Sequence, residues 1–205
     1  MLYDFFRTGT YDRNREFILT GSPSMDILIS SNLERLIYHL AGNNAAQNKA
    51  FMDDLSEKGC YTITDEMKER WSDFCGGYAT EKECESTIRR IYLSDRYVLD
   101  PHTAVAACVY DQYRSQMQDP APAVVVSTAS PFKFEKTVLK ALGQGTDGDD
   151  LALADALSAA SGIAIPKAVE SLRGAEVVHS TVCGGDMKSM LTEVEKFLGI
   201  PADGE

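Results

Sequence analysis

The residues best suited to chemistry lie in Val124-Val125-Val126-Ser127-Thr128-Ala129-Ser130-Pro131. A run of valines without alternation predicts a strand buried on both faces. Hydroxyls at the carboxyl end of such a strand, ahead of a helix, occupy the usual ligand position of an open α/β sheet. Ser130 has a simpler duty, capping the next helix with Pro131 at its first position. Ser127 and Thr128 are left as candidate ligand-binding hydroxyls.

Other constellations are explained without chemistry. Gly143-Gln144-Gly145-Thr146-Asp147-Gly148 has the spacing of a dinucleotide fingerprint. That motif needs a strand before it, whereas a helix precedes this one, and Asp147, Asp149 and Asp150 would repel a phosphate. A surface loop is expected. His179 and Cys183 are four apart, but Val177-Val178-His179 reads as strand and Gly184-Gly185 follows, so no metal site is expected. A Cys183–His179 hydrolase is the corresponding catalytic reading. His39 lies between Tyr38 and Leu40 as a surface or boundary residue. The acidic groups around Asp53, Glu57 and Asp65 sit in first turns or on outer helix faces, where they complement helix dipoles.

The positioning elements follow from periodicity and caps. Residues 1–23 read as the end of a strand and a long loop. Ser31-Asn32-Leu33-Glu34 matches a capping box, predicting a helix from about Asn32 to Ala41. A second helix runs from Ala45 to Lys58, followed by a β-prone Cys60–Ile63. Helices then start near Thr64 and Thr80, and Tyr97–Leu99 is strand-like. Asp100-Pro101 caps a helix that ends near Met117. After the Val124–Val126 strand come helices with Phe134, Val138 and Leu142 inward, then at about 150–160, 166–172 and 187–198, with a β-prone Glu176–His179 between the last two. Repeated strand, capped helix and glycine stop predict an α/β architecture.

Composition sets limits. The chain has 205 residues with 20 basic and 31 acidic side chains, a net charge of −11 that disfavours nucleic acid. No stretch of 18 apolar residues predicts a membrane span. The start lacks a signal-peptide pattern, and five cysteines without Cys-x-x-Cys suit free thiols in a reducing cytoplasm.

Four segments together resemble threonine synthase, a pyridoxal-phosphate (PLP) enzyme family of fold type II, the tryptophan synthase β-like group. They are Asp4-Phe5-Phe6-Arg7-Thr8-Gly9-Thr10-Tyr11-Asp12-Arg13-Asn14, Ser22-Pro23-Ser24-Met25-Asp26-Ile27, Asp100-Pro101-His102-Thr103-Ala104-Val105-Ala106, and Ser127-Thr128-Ala129-Ser130-Pro131-Phe132-Lys133-Phe134. Their order and spacing over residues 4–142 carry the match, and residues 143–205 suit the family's tail more loosely. The resemblance implies part of a three-layer α/β sandwich, with short, mostly parallel strands and flanking helices. Residues 1–142 would belong to the catalytic region, with 143–205 as its C-terminal helical tail.

It also implies conversion of O-phosphohomoserine and water into threonine and phosphate. In this fold type a Ser or Thr at the strand end bonds the cofactor's pyridine nitrogen, leaving it largely unprotonated. That role falls on Thr128, with Ser127 as its neighbour. Ser24, Asp26, Asn32 and His102 match the active-site wall. Capping and turn formation explain Asp26 and Asn32 equally well, and Asp100-Pro101 explains the His102 segment as a helix start.

One departure is decisive. The family's Schiff-base Lys in a Ser/Ala-Phe-Lys-Asp context and its Ser-Gly-Asn-Phe-Gly-type phosphate loop are both absent from this sequence. Lys133 belongs to a different segment and is no substitute. The expectation is therefore a C-terminal half that is inactive alone, holds no covalent PLP, and pairs with a missing N-terminal half or self-associates. The alternative is a standalone, non-catalytic α/β interaction domain.

Overall fold

A computed structural model describes residues 1–200 and divides the chain into two compact units, residues 1–166 and 167–205. The chain starts with α1 (Leu2–Thr8), not the expected strand end. Phe5 is its buried anchor, and Gly9, at φ +80°, supplies the left-handed stop that a side chain would strain. β1 (Thr10–Asp12) follows, then a loop with a single 3-10 turn at Pro23–Met25. Next come α2 (Leu33–Leu40), α3 (Ala45–Glu57), β2 (Cys60–Thr62) and α4 (Asp65–Arg70). The two strands pair antiparallel with Tyr11 opposite Tyr61. Their rings stack at 5.6 Å, and Phe5 meets both edge-on. Leu33, Ile37, Leu40, Ile63 and Met67 complete this cluster.

The second half of the unit is helical. α5 (Glu81–Asp95) packs on α6 (Pro101–Met117) and on α7 (Glu135–Leu142), and α7 packs on α8 (Asp150–Ser161). Ile88, Ala104, Val138, Leu139 and Leu157 are among its buried side chains. The caps follow the sequence: Thr64, Thr80 and Asp100 each accept from backbone N–H groups, and Gly143 closes α7 at φ +75°. One cap does not form as expected. Asn32, not Ser31, precedes α2 and makes no side-chain cap bond; Glu34 instead accepts from Asn48 Nδ2 at 3.0 Å. The complete capping box belongs to Thr80 and Glu83.

The expectation of several, mostly parallel strands is corrected. Among the described residues the sheet is one antiparallel pair in a helix-rich α/β chain. Val124–Val126 has no regular secondary structure and pairs with no strand, and Val124 and Val126 are 89% and 69% exposed. A run apolar on both faces needs neighbours on both faces, and the described residues leave Val124 and Val126 largely uncovered. Tyr97–Leu99 and Glu176–His179 are likewise not strands, although Val98 and Leu99 are buried.

The second unit holds α9 (Lys167–Glu170) and α10 (Met187–Leu198), the latter capped by Asp186. No described helix is long and apolar enough to cross a membrane. All five cysteines are free.

Candidate active-site wall

The N-terminal ends of α5, α6 and α7 gather around the loop that carries Ser24 and Asp26. Glu81, the first residue of α5, accepts from the Gly21 N–H at 2.9 Å. A Cβ on Gly21 would also press on Thr137 of α7 at 3.0 Å, so the loop lies close over that helix. Asp26 folds the loop on itself, accepting from Thr20 N at 2.6 Å and Thr20 Oγ1 at 2.7 Å. Its carboxylate is used for turn formation. Downstream, the buried Tyr11 hydroxyl donates to Leu28 O at 3.2 Å and accepts from Ser30 N at 2.8 Å.

His102 ties this loop to α6. Its Nε2 accepts from the Ser24 N–H at 3.2 Å, and its Nδ1 lies 3.2 Å from Asp100 Oδ1. The imidazole also packs on the Phe134 ring at 4.7 Å, and Lys133 Nζ lies 5.7 Å from that ring's centre. Asp100, 1% exposed, accepts from the His102 and Thr103 backbone N–H groups and from the Thr103 hydroxyl. Thr103 Oγ1 in turn lies 3.1 Å from Ser127 Oγ. The sequence offered Asp100 only as a helix cap; its wider grip was missed, and the signal was the Asp-Pro-His-Thr spacing.

Four of the six expected site residues thus fall around these helix ends: Ser24, Asp26, His102 and Ser127. Thr128 is adjacent to Ser127 in the chain, is exposed, and has no hydrogen-bond partner among the described residues. Asn32 lies apart, lining a cleft on α2 and α3 with Arg35, Tyr38, His39 and Asn48. A further cavity of about 1360 Å³, which the sequence did not suggest, lies on the flank of α6. Gly76 and Gly77 form part of its wall, close against Phe6 and Val109, with Cys75, Tyr78, Tyr110 and Tyr113 around them.

Other nucleophile candidates have different surroundings. Burial pushes the Cys84 thiol up to about 12, reinforced by Glu81 and other acidic neighbours, and its Sγ donates to Pro101 O at 3.4 Å. His179 packs edge-on against Phe197 at 6.2 Å, and Cys183 is exposed. The Gly143–Gly148 segment follows α7 and has the surface-loop form expected of it.

A family model described as threonine synthase, C-terminal, matches residues 103–182. "Threonine synthase-like 1" of Macaca fascicularis is 33% identical over 97% of this chain. Yeast threonine synthase superposes with a TM-score of 0.76 over 97% of this chain, at 27% identity. This is a threonine synthase-like C-terminal region. A PLP-bound threonine synthase from Brucella melitensis also matches, with a TM-score of 0.64 over 77% of this chain and 35% identity. The chain spans only 27%, 40% and 33% of the lengths of these three proteins, in the order given. Its threonine synthase-like segment therefore includes Ser127 and Thr128 but neither the Schiff-base Lys context nor the phosphate loop.

Proposed function

We propose that this chain forms the pyridine-nitrogen wall of a threonine synthase active site. The observation that carries the reading is Thr128: a hydroxyl without a partner, beside a braced Ser127, inside the segment matched by the threonine synthase model. The residues fit one end of PLP only. Thr128 can donate to a ring nitrogen, whereas the glycine-rich 143–148 loop follows a helix and carries acidic groups, so it makes no phosphate cradle. When bound, PLP would supply an electron sink for carbanions next to its attachment point.

The whole enzyme would take O-phosphohomoserine, break the γ-carbon–oxygen bond to release phosphate, and add the oxygen of water at the β-carbon to give threonine. In that reaction Thr128 would hold the cofactor ring by its nitrogen, and the Ser24–Asp26 loop, fastened by His102 and Glu81, would close part of the wall. The Schiff-base Lys and phosphate cradle come from a companion N-terminal segment, so the chain alone neither binds PLP covalently nor turns over. Val124–Val126 would then become a strand inside a larger, mostly parallel sheet of the three-layer type, where its exposed apolar faces and unpaired backbone are covered. Residues 1–142 form the catalytic portion and 143–205 its helical tail. Without the companion, the exposed Phe17, Ile18, Leu19, Val124 and Val126 favour self-association. The free thiols suit a cytoplasmic enzyme.

The test is complementation. The chain is mixed or co-expressed with a threonine synthase segment that carries the Lys and the phosphate loop, and threonine and phosphate release are measured. Activity that appears only with both parts, survives Thr128→Ser and falls at least about tenfold in Thr128→Val supports the reading. A folded complex indifferent to Thr128→Val refutes it. A complex of the two that forms but stays inactive favours the non-catalytic interaction domain instead.

A further inference from the structure

We propose that Asp100 is a positioning residue for this wall, setting the tautomer of His102 and the direction in which the Thr103 hydroxyl points. What this wall meets rests on the reading above; the proton directions do not.

A helix cap needs to satisfy one or two backbone N–H groups. The Asp100 carboxylate accepts two and makes two side-chain contacts besides, to His102 Nδ1 and Thr103 Oγ1. Each of these reaches a different part of the chain. On one branch, His102 Nε2 accepts from the Ser24 N–H, so this nitrogen carries no proton. The proton of the neutral ring is then on Nδ1, where Asp100 Oδ1 receives it. The tautomer and the hold on the Ser24 loop are one arrangement.

On the other branch, proton counting fixes the direction. Thr103 has a single hydroxyl proton, and a carboxylate accepts without donating. Thr103 is the donor in both of its contacts, so its one proton lies between the Asp100 carboxylate and Ser127 Oγ, 3.1 Å away. Ser127 accepts in that contact and keeps its own proton, so the carboxylate governs where the Thr103 proton points.

Two substitutions separate the branches, both in the chain as it stands and without cofactor. In Asp100→Asn the remaining oxygen can still accept the three N–H groups, while the new NH₂ donates to Thr103 and turns that hydroxyl toward Ser127. Asp100→Ser keeps a short cap but cannot reach the imidazole. The readouts are ¹⁵N NMR of the histidine rings at about pH 8, where an unperturbed imidazole is neutral, amide exchange at Ser24, and the slowly exchanging downfield proton expected of a hydroxyl bound to a buried carboxylate.

The native chain should show His102 protonated at Nδ1 and one such hydroxyl proton. Asp100→Asn should lose the hydroxyl proton but keep the tautomer. Asp100→Ser should lose both, with Ser24 exchange faster by about tenfold or more while Ser30 is unaffected. An Nε2-protonated or averaging His102 in the native chain overturns the proposal. So does an Asp100→Asn variant that retains the hydroxyl proton, a result that stands even where Asp100→Ser fails to fold. None of these outcomes depends on PLP, so they are distinct from failure of complementation.

Discussion

Replacing Tyr11 by Phe removes one oxygen and tests how the sheet holds the Ser24 loop. Tyr11 is 1% exposed, its ring stacked on Tyr61 and edge-on to Phe5, and the substitution leaves those apolar contacts in place. What goes is the hydroxyl that donates to Leu28 O and accepts from Ser30 N. A net hydrogen bond contributes roughly 0.5–1.5 kcal/mol, and an abandoned buried partner costs about 1–3 kcal/mol. Leu28 and Ser30 are half-buried, so water recovers part of the loss. The expected cost is therefore about 1–3 kcal/mol.

Urea unfolding followed by the fluorescence of Trp71, the single tryptophan, measures it locally, since that ring lies 5.2 Å from Phe5. The midpoint should fall with the slope unchanged, because no additional surface is exposed. Amide exchange at Ser30 should accelerate more than exchange inside α5. A cost below about 0.5 kcal/mol, or an unchanged Ser30, would refute the reasoning. The pH dependence has a definite sign. Burial raises the Tyr11 phenol above its ordinary value of 10.0, against a smaller opposing effect of the Ser30 hydrogen bond. A group whose folded value is raised contributes fully below its unfolded value and loses that contribution as pH climbs through the folded one. The native chain should thus lose stability above about pH 10, and Tyr11→Phe should lose less. Tyr61, raised by burial and by the nearby Tyr11 and Glu34, keeps some slope in the variant.

Further expectations concern thiols, close packing and the exposed run. With iodoacetamide at about pH 8, exposed Cys75 and Cys183 should alkylate first and buried Cys84 last, as peptide mass mapping would show; early labelling of Cys84 contradicts its burial. Gly77→Ala should cost about 1–3 kcal/mol, because its Cβ would sit 2.4 Å from Val109 Cγ1 on a stiff β-branched side chain; thermal unfolding at an unchanged midpoint would show that α6 yields freely. Val126→Glu should lower the binding of an apolar dye and reduce self-association without loss of helicity by circular dichroism. An unfolded variant would mean that the valine is buried after all.

Much of this molecule was legible in its residues where the signal was local. Asp100-Pro101, Thr64 and Gly143 each mark a helix end through bonds to their own neighbours, and each lies where its chemistry places it, whereas Ser130-Pro131 opens only a 3-10 turn at Pro131–Lys133 ahead of α7, which starts after Phe134. α1 was not legible, because Tyr3, Phe5 and Phe6 have strand propensity and only packing around Phe5 makes them helical. The Ser31–Glu34 box failed for a similar reason, since Glu34 is drawn to Asn48 across the helix pair. Val124–Val126 has the composition of a buried strand, but a strand exists only with a partner, and sequence composition does not say which chain supplies it. The hydroxyls Ser127 and Thr128 were visible as an unexplained pair. The carboxylate bracing one of them was hidden behind a simpler duty as a cap.

The most direct test of the central claim is to saturate the chain with PLP, reduce with borohydride, and map modified lysines, first alone and then with a segment carrying the Schiff-base Lys and phosphate loop. The expected result is no stoichiometric adduct on the chain alone, and in the pair a single adduct on the companion lysine together with threonine formation from O-phosphohomoserine. One fully modified lysine in the chain alone, with threonine produced without the companion, would contradict it.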